Sequence, residues 1–443
     1  MNFIFDRLYG KISFPKIIRD LLDCPGLLRL REIGMGNIRF INFPSFSAVT
    51  RYEHSLGTCH LADIASKSLG LSKKDRIELM MAALYHDVTT PPFAHATEEI
   101  LKRYFEFNHE KHLYKLMTAQ TNDLEGQYVQ IYHGRMLKLP MICHKSQARK
   151  IGIDLYRILE LILGKKEHPL SSLINSDIDL DNIDNVFRAA SAMGVEGASG
   201  HLAEKLAKSF CFREDQKIAF FTDAEPYLRR WKELREIVYD MIFCSIDDFS
   251  LQTMLKHALI CLIESGQLQE VDWKLTEEDV LRKIKEHPDT REIYERMMLK
   301  KLYDCLGVVW IKGPGVLEYV ENINNQQKIE EIGKEVYGVQ VILNYYIDKR
   351  QRYIQKSFLD IFSKETYRLN EQSPRENALL MGFFTPDNAK VSYLRRKKRE
   401  KKNRQKKEFL HKLREEIPSN LSLYSVKIIN GKYPKINIGE LIT

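Results

Sequence analysis

The chain has 443 residues, of which 44% are hydrophobic and 29% are charged. This is ordinary for a soluble globular protein and long enough for two or three domains, or for one large domain with an accessory part. The net charge of +8 arises locally, because the segment Arg395–Lys407 holds ten basic residues and one acid. The rest of the chain carries a net charge of −1, whereas a nucleic-acid groove needs positive charge spread over folded elements.

The seven cysteines are scattered and form no CxxC pair, which is typical of a reduced cytosolic protein rather than a disulfide scaffold. The N-terminal stretch "MNFIFDRLYGK" has an early acid and no long apolar region, so we do not expect a secretory signal. No apolar run approaches the roughly 18 residues that a membrane helix needs. The sequence therefore predicts a cytoplasmic protein with no membrane partner.

The first 310 residues have mostly helical patterns. In "HSLGTCHLADIASKSLG", Leu61, Ile64 and Ala65 fall on one helical face, and "DRIELMMAALYH" repeats the pattern with Leu79 and Ala83. Further on, "TEEDVLRKIKEHPDTREIYERMMLKKLY" predicts two helices, with a capping threonine and acids at the start and a break at the proline.

After about residue 306 the composition favours strands. "GVVWIKGPGVLEYV" and "YGVQVILNYYI" are rich in β-branched and aromatic residues between glycines, and "LYSVKIINGKYPKINIGELI" predicts a hairpin that turns at Asn430-Gly431. We predict a mainly α protein, with a helical domain over 1–310 and a smaller α+β accessory or oligomerisation region over 311–443. The basic tract 395–407 would lie on a charged helix between the two strand regions, or on an exposed arm.

A histidine and an aspartate stand together in "LYHDVTTPPFAH", where an apolar helix ends. His86 and Asp87 fall at the inner edge of that helix, and Pro91 and Pro92 stop it because proline lacks an amide donor and clashes with the preceding turn. His54 lies on the apolar face of the preceding helix, so both histidines would face one core if the helices pack together.

Two imidazoles and a carboxylate suit a borderline cation such as Mn, Fe or Zn, and a fourth ligand would complete the site. The acid-rich "NSDIDLDNIDNVFR" can supply it from the start of a probable helix, through Asp177, Asp179, Asp181 or Asp184. From spacing alone, helix capping and ordinary packing explain these residues as well as a metal site does.

Taken together, "TRYEHSLGTCHLADIA", "AALYHDVTTPPFAHATEE" and "DIDLDNIDNVFRAA" resemble the HD-domain phosphohydrolases. They are most similar to the deoxynucleoside triphosphate triphosphohydrolase branch, whose approximate pattern is "H-x-RFEHSLG…HD-x-GHxPFSH…DVDxxDYxxRD". The resemblance extends over about 1–310. The ordered arginine, His, HD and PFxH elements make it specific, and it implies an HD-type helical core.

The resemblance implies one divalent metal ion, either Mn, Mg, Fe or Zn. Its ligands would be His54, His86, Asp87 and Asp181, the last being the second acid of "DLD". The metal would polarise a phosphoryl oxygen and lower the pKa of a bound water. In the family, attack at the α-phosphate releases nucleoside and inorganic triphosphate.

Other site residues are implied in the same way. Arg51 and His95 match positions that contact substrate phosphates, and Asn185 falls where the family places a sugar-contacting tyrosine. His109 and Glu110, in "NHEKH", match a catalytic pair beside the metal. Without the resemblance, Arg51 is explained as a surface cation, His95 as a packing residue at the start of a helix, and Glu110 as a solvated helix acid.

This chain departs from the family pattern at two places. Thr90 stands where the family has a proton-transfer histidine, and threonine cannot titrate near neutral pH; losing such a group typically costs about 10²–10⁴-fold in rate. Glu110 would lose its partner there, and His95 or His109 would have to compensate. The last acid of the sugar-reading motif becomes Ala189, so the base and sugar preferences stay open.

Three functions remain open from the sequence. The first is a nucleotide phosphohydrolase acting on (deoxy)nucleoside triphosphates. The second is a catalytically degenerate nucleotide sensor or scaffold, and the third is a nucleic-acid-directed phosphodiesterase using the 395–407 tract. The third is not favoured, because that tract has no interleaved aromatic residues for base stacking. By resemblance we expect a homo-oligomer, a nucleotide effector, and a role in nucleotide-pool control or antiviral defence.

Overall fold

The computed structural model describes residues 3–118, 127–132, 135–140, 152–164, 168–349, 357–359, 366–368, 377–387 and 399–443. The chain forms two compact units that alternate along the sequence. The first comprises Met1–Arg235, Leu262–Lys283 and Arg352–Gln372, and the second comprises Glu236–Cys261, Ile284–Gln351 and Ser373–Thr443. This division does not follow the single boundary near residue 310, and the two functional domains predicted from the sequence stay a prediction.

The first unit is mainly helical, which confirms the predicted helical core. Its helices are Lys16–Arg19 (α1), Pro25–Arg29 (α2), Pro44–Ser47 (α3), Arg51–Ser68 (α4), Lys73–Tyr85 (α5), His95–Phe105 (α6), His109–Thr118 (α7), Leu155–Ile162 (α8), Leu180–Ala192 (α9) and Gly200–Lys208 (α10). Glu225–Cys244 (α11), Ile246–Glu264 (α12) and Glu277–Glu286 (α13) have residues in both units. No helix among the described residues is long and apolar enough to cross a membrane.

The strands of the first unit form small sheets. Ile4–Asp6 (β1) pairs antiparallel with Gly10–Ile12 (β2), and Gln127–Tyr132 (β3) pairs antiparallel with Arg135–Pro140 (β4). A four-stranded sheet has the order β10-β9-β6-β5, built from Phe210–Phe212 (β5), Ile218–Phe221 (β6), Ser357–Leu359 (β9) and Thr366–Arg368 (β10). The pair β1 and β2 is called the N-terminal hairpin below.

Helix α4 is the centre of the first unit, and it packs against α5, α9 and α10. It begins with a capping box in which Thr50 accepts from the amide of Glu53, while the Glu53 carboxylate accepts from the amide of Thr50. Most of its residues are buried, as expected for a helix enclosed by neighbours on several sides. The predicted packing of the two helices that carry the histidines is confirmed.

Gly57 allows α4 and α9 to approach closely. A Cβ atom at this position would lie 2.0 Å from Asp184 Oδ1 and 2.3 Å from Arg188 Nη2, both of which belong to fully buried side chains of α9. A glycine in mid-helix is unfavourable by about 1 kcal/mol relative to alanine. The close approach of α4 and α9 explains why α4 nevertheless contains a glycine at position 57.

The second unit is built around a five-stranded sheet of order β13-β12-β7-β11-β8, in which every neighbouring pair is antiparallel. Its strands are Asp304–Lys312 (β7), Ile342–Ile347 (β8), Ala378–Thr385 (β11), Ser422–Ile429 (β12) and Lys435–Leu441 (β13). Its further helices are Pro288–Met298 (α14), Val316–Glu321 (α15), Ile323–Tyr337 (α16) and Arg399–Glu416 (α17). The hairpin turning at Asn430-Gly431 is confirmed.

One predicted strand region is partly helical. β7 ends at Lys312, and helix α15 starts at Val316, after Gly313 and Gly315, whose φ angles are +142° and +76°. Such angles suit glycine and end the strand. The Gly-Pro-Gly sequence is the turn signal, and the β-branched residues after it pack into the core of this unit from a helix instead.

The described part of the basic tract, Arg399–Lys407, is helical and opens α17; residues 395–398 lie outside the described residues. Further along, Phe409 and Leu413 are buried in the core of the second unit. The expectation of a charged helix between strand regions is therefore confirmed for the described part.

Replacing Gly57 with alanine should destabilise the protein. Overpacking costs about 1–3 kcal/mol and outweighs the gain of about 1 kcal/mol in helix propensity, because Asp184 and Arg188 have no room to withdraw. Chemical denaturation of Gly57→Ala should show a lower free energy of unfolding. Ser191→Ala, on the exposed face of α9, is the control and should change little. Equal stability of Gly57→Ala and the wild type would contradict the close approach.

Candidate metal centre

Three elements of the first unit bring the predicted ligands together. His54 projects from the first turn of α4, His86 caps the C-terminus of α5, and Asp181 lies in the first turn of α9. Asp179 caps the N-terminus of α9 by accepting a hydrogen bond from the amide of Asn182. The ring centroids of His54 and His86 are 5.2 Å apart and nearly perpendicular.

The donor atoms converge on one small volume. One ligand atom from each of His54, His86 and Asp181 lies within 4.8 Å of the others. His54 Nε2 is 2.9 Å from Asp181 Oδ1, and His86 Nε2 is 3.7 Å from the same oxygen. Asp87 Oδ2 lies 3.5 Å from His86 Nε2 and 3.8 Å from His54 Nε2. The geometry thus gathers all four predicted ligands.

His86 shows that this volume suits a cation. Its Nδ1 faces the carbonyl of Ala83 at 2.8 Å, whereas its Nε2 is buried and has no hydrogen-bond partner among the described residues. A buried polar atom without a partner is costly, and an imidazole whose other nitrogen donates to a carbonyl is oriented to ligate a metal. Two imidazoles with carboxylates form a donor set for Mn, Fe or Zn.

The carboxylate of Asp87 is held from both sides. Arg51 Nη1 donates to Asp87 Oδ2 at 2.6 Å, and Thr90 Oγ1 donates to Asp87 Oδ1 at 2.9 Å. The structure therefore places Arg51 against a predicted ligand, and the threonine that replaces the family histidine orients that ligand.

Charges within the cluster are balanced by one another. Burial lowers the pKa of His54, but hydrogen bonds to Asp181 and Asp184 outweigh burial and raise the pKa to about 10. Burial disfavours ionisation of Asp87, yet Arg51 and then His86 hold the pKa of Asp87 well below its usual range. In the metal-free protein the carboxylates and imidazoles thus stabilise each other's charged forms, and metal binding would compete with protons for the imidazole nitrogens.

The loop after Asp87 is held by hydrogen bonds from an arginine side chain to the backbone carbonyls of the loop. The buried Arg29 donates through Nη2 to the carbonyls of Val88 at 3.1 Å and Thr90 at 2.6 Å. Beyond the prolines, Phe93 and Ala94 have φ angles of +58° and +48°, an unfavourable region for residues other than glycine. Strain of this kind clusters at functional sites, and here it directly precedes helix α6.

His95, at the start of α6, and His109, at the start of α7, share one carboxylate. His95 Nδ1 is 3.1 Å from Glu98 Oε2, and His109 Nδ1 pairs with Glu98 Oε1. Burial lowers the pKa of His109, but the hydrogen bond to Glu98 outweighs burial and raises it. Glu98 was missed in the sequence, although its place one helical turn after His95 was the available signal.

Two predicted residues take other positions. Glu110 follows His109 at the start of α7, and His109 pairs with Glu98, so the role of His109 and Glu110 as a catalytic pair stays a prediction. Asn185 is partly buried on α9, one turn after Asp181 and therefore on the same face. Asp184 was weighed only as one of four possible ligands, and the structure instead places its Oδ2 2.7 Å from His54 Nδ1, on the far side of the ring from Asp181.

Comparisons with known proteins agree with this geometry. Residues 51–186 match the HD domain family model, and these bounds enclose all four predicted ligands. The chain carries an HD domain and resembles the HD-domain phosphohydrolase superfamily. The relatives that it matches include deoxynucleoside triphosphate triphosphohydrolases.

Several relatives support this placement. The deoxynucleoside triphosphate triphosphohydrolase SAMHD1 of Bos taurus is 27% identical over 158 residues, covering 33% of this chain and 27% of the relative. The SAMHD1 homolog of Dictyostelium discoideum is 32% identical over 103 residues, covering 21% of this chain and 20% of the relative. The chain thus spans about a quarter of the length of these relatives.

Two longer matches cover most of the chain. An uncharacterized protein of Methanocaldococcus jannaschii is 20% identical over 395 residues, covering 86% of this chain and 76% of the relative. The crystal structure of a hypothetical protein from Aquifex aeolicus has a TM-score of 0.64 at 20% identity, covering 88% of this chain and 99% of that one. This structural likeness shows the fold.

Removal of a predicted ligand should weaken metal binding strongly. Loss of a residue that hydrogen-bonds to a metal ligand typically lowers metal affinity about 10–100-fold. Asp181→Asn and His86→Ala should each lower the affinity for Mn²⁺ by more than that, because each removes a donor atom. Metal content after dialysis and calorimetric titration measure this. Asp177→Asn changes an acid of the same segment outside the cluster and should bind as the wild type does. Unchanged binding in both ligand variants would refute the site.

Proposed function

We propose that this chain is a metal-dependent phosphohydrolase that converts (deoxy)nucleoside triphosphates to nucleoside and inorganic triphosphate. The observation that carries the proposal is the convergence of His54, His86 and Asp181, together with the buried Nε2 of His86, which has no hydrogen-bond partner in the part of the chain that the structure describes. A divalent cation bound there supplies Lewis acidity toward a phosphoryl oxygen and a bound water of lowered pKa. Mn, Mg, Fe and Zn are the candidate ions.

In this proposal the protein's own groups hold the reacting parts in place. Arg51 and Thr90 fix the Asp87 carboxylate, so its orientation does not depend on the substrate. His95 has a side chain that is 58% exposed at the start of α6, where it can donate to a phosphate oxygen. The guanidinium of Arg51 shares its charge between Asp87 and an incoming phosphate.

Protonation of the leaving group falls to a histidine other than the one the family uses. Thr90 donates to Asp87 and cannot serve as an acid. The hydrogen bond to the Glu98 carboxylate raises the pKa of His109 and so favours the protonated form that a general acid needs. Glu110, next to it on α7, is proposed to orient the attacking water.

The substrate class follows from the relatives and from α9. The names of the SAMHD1 relatives state that those proteins are deoxynucleoside triphosphate triphosphohydrolases. Asn185, on the Asp181 face of α9, is proposed to contact the sugar in place of a tyrosine. A homo-oligomer and a nucleotide effector are part of the same proposal, by resemblance alone.

A nucleotide sensor is the second candidate, and one observation favours it. The hydroxyl of Thr90 is bonded to Asp87, so the loop provides no titratable group where the family has one. Such a protein would keep the metal and bind nucleotide without turnover.

Turnover should depend on Asp87. The purified chain, incubated with Mn²⁺ or Mg²⁺ and with each dNTP and NTP, alone and mixed, should release nucleoside and triphosphate measurable by ion-exchange chromatography. Asp87→Ala should abolish the products, because it removes a ligand that Arg51 and Thr90 hold. Asp177→Ala is the control and should retain activity. Metal and nucleotide binding without products in any mixture would favour the sensor.

The pH dependence of kcat should show the effect of Glu98 on the pKa of His109. Because Glu98 raises the pKa of His109, the acidic form persists to higher pH, and kcat should fall only as the pH rises through that raised pKa. Glu98→Gln removes the charge, so the alkaline fall should move to lower pH. The control is Glu99→Gln, which alters the neighbouring acid of α6. An alkaline limb that stays in place in Glu98→Gln would exclude His109 as the acid.

A further inference from the structure

The carboxylate of Asp184 is fully engaged on the side of His54 opposite the metal donors. Its Oδ2 accepts from His54 Nδ1 at 2.7 Å and from Arg188 Nε at 2.8 Å. Its Oδ1 accepts from Tyr9 Oη at 2.7 Å and from Arg188 Nη2 at 3.0 Å. Both oxygens are saturated and the side chain is fully buried, so Asp184 cannot itself be a ligand.

The hydrogen bonds of Arg188 and Asp184 also connect to the N-terminal hairpin. Arg188 Nη1 donates to Asp6 Oδ2 at 3.0 Å, and Asp6 Oδ1 accepts from the amides of Leu8 and Tyr9 at 2.8 and 3.0 Å. Tyr9, Asp184, Arg188 and Asp6 thus form a closed ring of hydrogen bonds. The turn of the hairpin is fixed by its own aspartate while its tyrosine hydroxyl reaches α9.

The ring is packed too tightly to rearrange. Gly57 leaves no space for a Cβ atom next to Asp184 and Arg188. The side chains of Asp6 and Arg188 are 1% and 0% exposed, so solvent cannot replace a lost partner. Burial raises the pKa of Tyr9 well above its usual value, which keeps the phenol protonated as a donor.

We propose that Tyr9 is a positioning residue of the metal centre, holding Asp184 in the orientation in which that carboxylate directs His54 Nε2 toward the cation. The proposal rests on the metal centre proposed above but not on its substrate. A carboxylate that accepts from one imidazole nitrogen fixes both the tautomer and the ring plane, which leaves the other nitrogen as the ligand.

The expected consequence is that a hydroxyl in the N-terminal hairpin contributes to metal affinity. Without the Tyr9 hydroxyl, Asp184 Oδ1 retains the Arg188 Nη2 donor but loses its second donor, so the packed carboxylate is held less firmly in its orientation toward the imidazole. A residue with a merely structural role would instead lower the stability of the metal-free protein and leave the affinity of the folded protein unchanged.

The test measures metal affinity and stability separately. Tyr9→Phe, Asp184→Asn and the wild type are titrated with Mn²⁺ and Co²⁺, and the metal-free forms are unfolded thermally. Asp184→Asn should weaken Mn²⁺ binding about 10–100-fold, as expected for the partner of a ligating histidine. Tyr9→Phe, one bond further away, should weaken it by about threefold to tenfold and alter the visible spectrum of bound Co²⁺.

Tyr52→Phe is the matched control, because it removes a hydroxyl that accepts from the exposed Arg31 and lies outside the ring. It should bind both metals as the wild type does. Unchanged affinity and an unchanged Co²⁺ spectrum in Tyr9→Phe would overturn the inference, whatever happens to the melting temperature. A wild-type protein that binds neither metal would instead overturn the metal centre and the proposed function, so the two failures are distinguishable.

Discussion

The buried contact between Asp184 and His54 is the constraint on which the rest of the site depends. An ionised carboxylate with no exposed surface needs partners on both oxygens, because an uncompensated buried charge is strongly destabilising. Arg188 supplies the compensating charge, and Gly57 supplies the space for the pair. Once α4 and α9 are joined in this way, His54 and Asp181 must face the same volume as the end of α5.

His86 is held at the end of α5, whereas the other remaining ligand, Asp87, is held by a stiff loop. Arg29 fixes the carbonyls on either side of Thr89, while Arg51 and Thr90 fix the carboxylate of Asp87. Preorganisation of this kind is effective because a ligand that is already oriented loses little freedom on binding. In this chain the position that the family uses for proton transfer has become part of that support.

Much of the site could be predicted from the sequence, and the parts that could not are instructive. His86 and Asp87 directly follow an apolar helix, α5, and the predicted ligands converge because α4, α5 and α9 pack together. Asp184 was visible only as one acid among several, since nothing local distinguishes a ligand from the partner of a ligand. That distinction requires Tyr9, which lies 175 residues away and enters only through the tertiary structure.

The fold, like the site, has elements that follow from local sequence and elements that depend on tertiary packing. The hairpin at Asn430-Gly431 and the helices broken at Pro288 follow from local turn chemistry, and both are present. The helix after Gly315 was assigned to a strand because its β-branched residues suit either element, and tertiary packing decided the outcome. The composition changes near residue 306, but the alternation of the two compact units along the chain has no signature in it.

The closed ring also affects how the protein is made. Asp6 and Arg188 are 182 residues apart, so the N-terminal hairpin leaves the ribosome long before its partner exists. At about 5–20 residues per second, the delay is on the order of ten to forty seconds. During that interval Asp6 and Tyr9 have only water as a partner in place of α9. Completion of the ring, and with it the orientation of His54, therefore belongs to the late steps of folding, when chaperones can still act on the nascent chain.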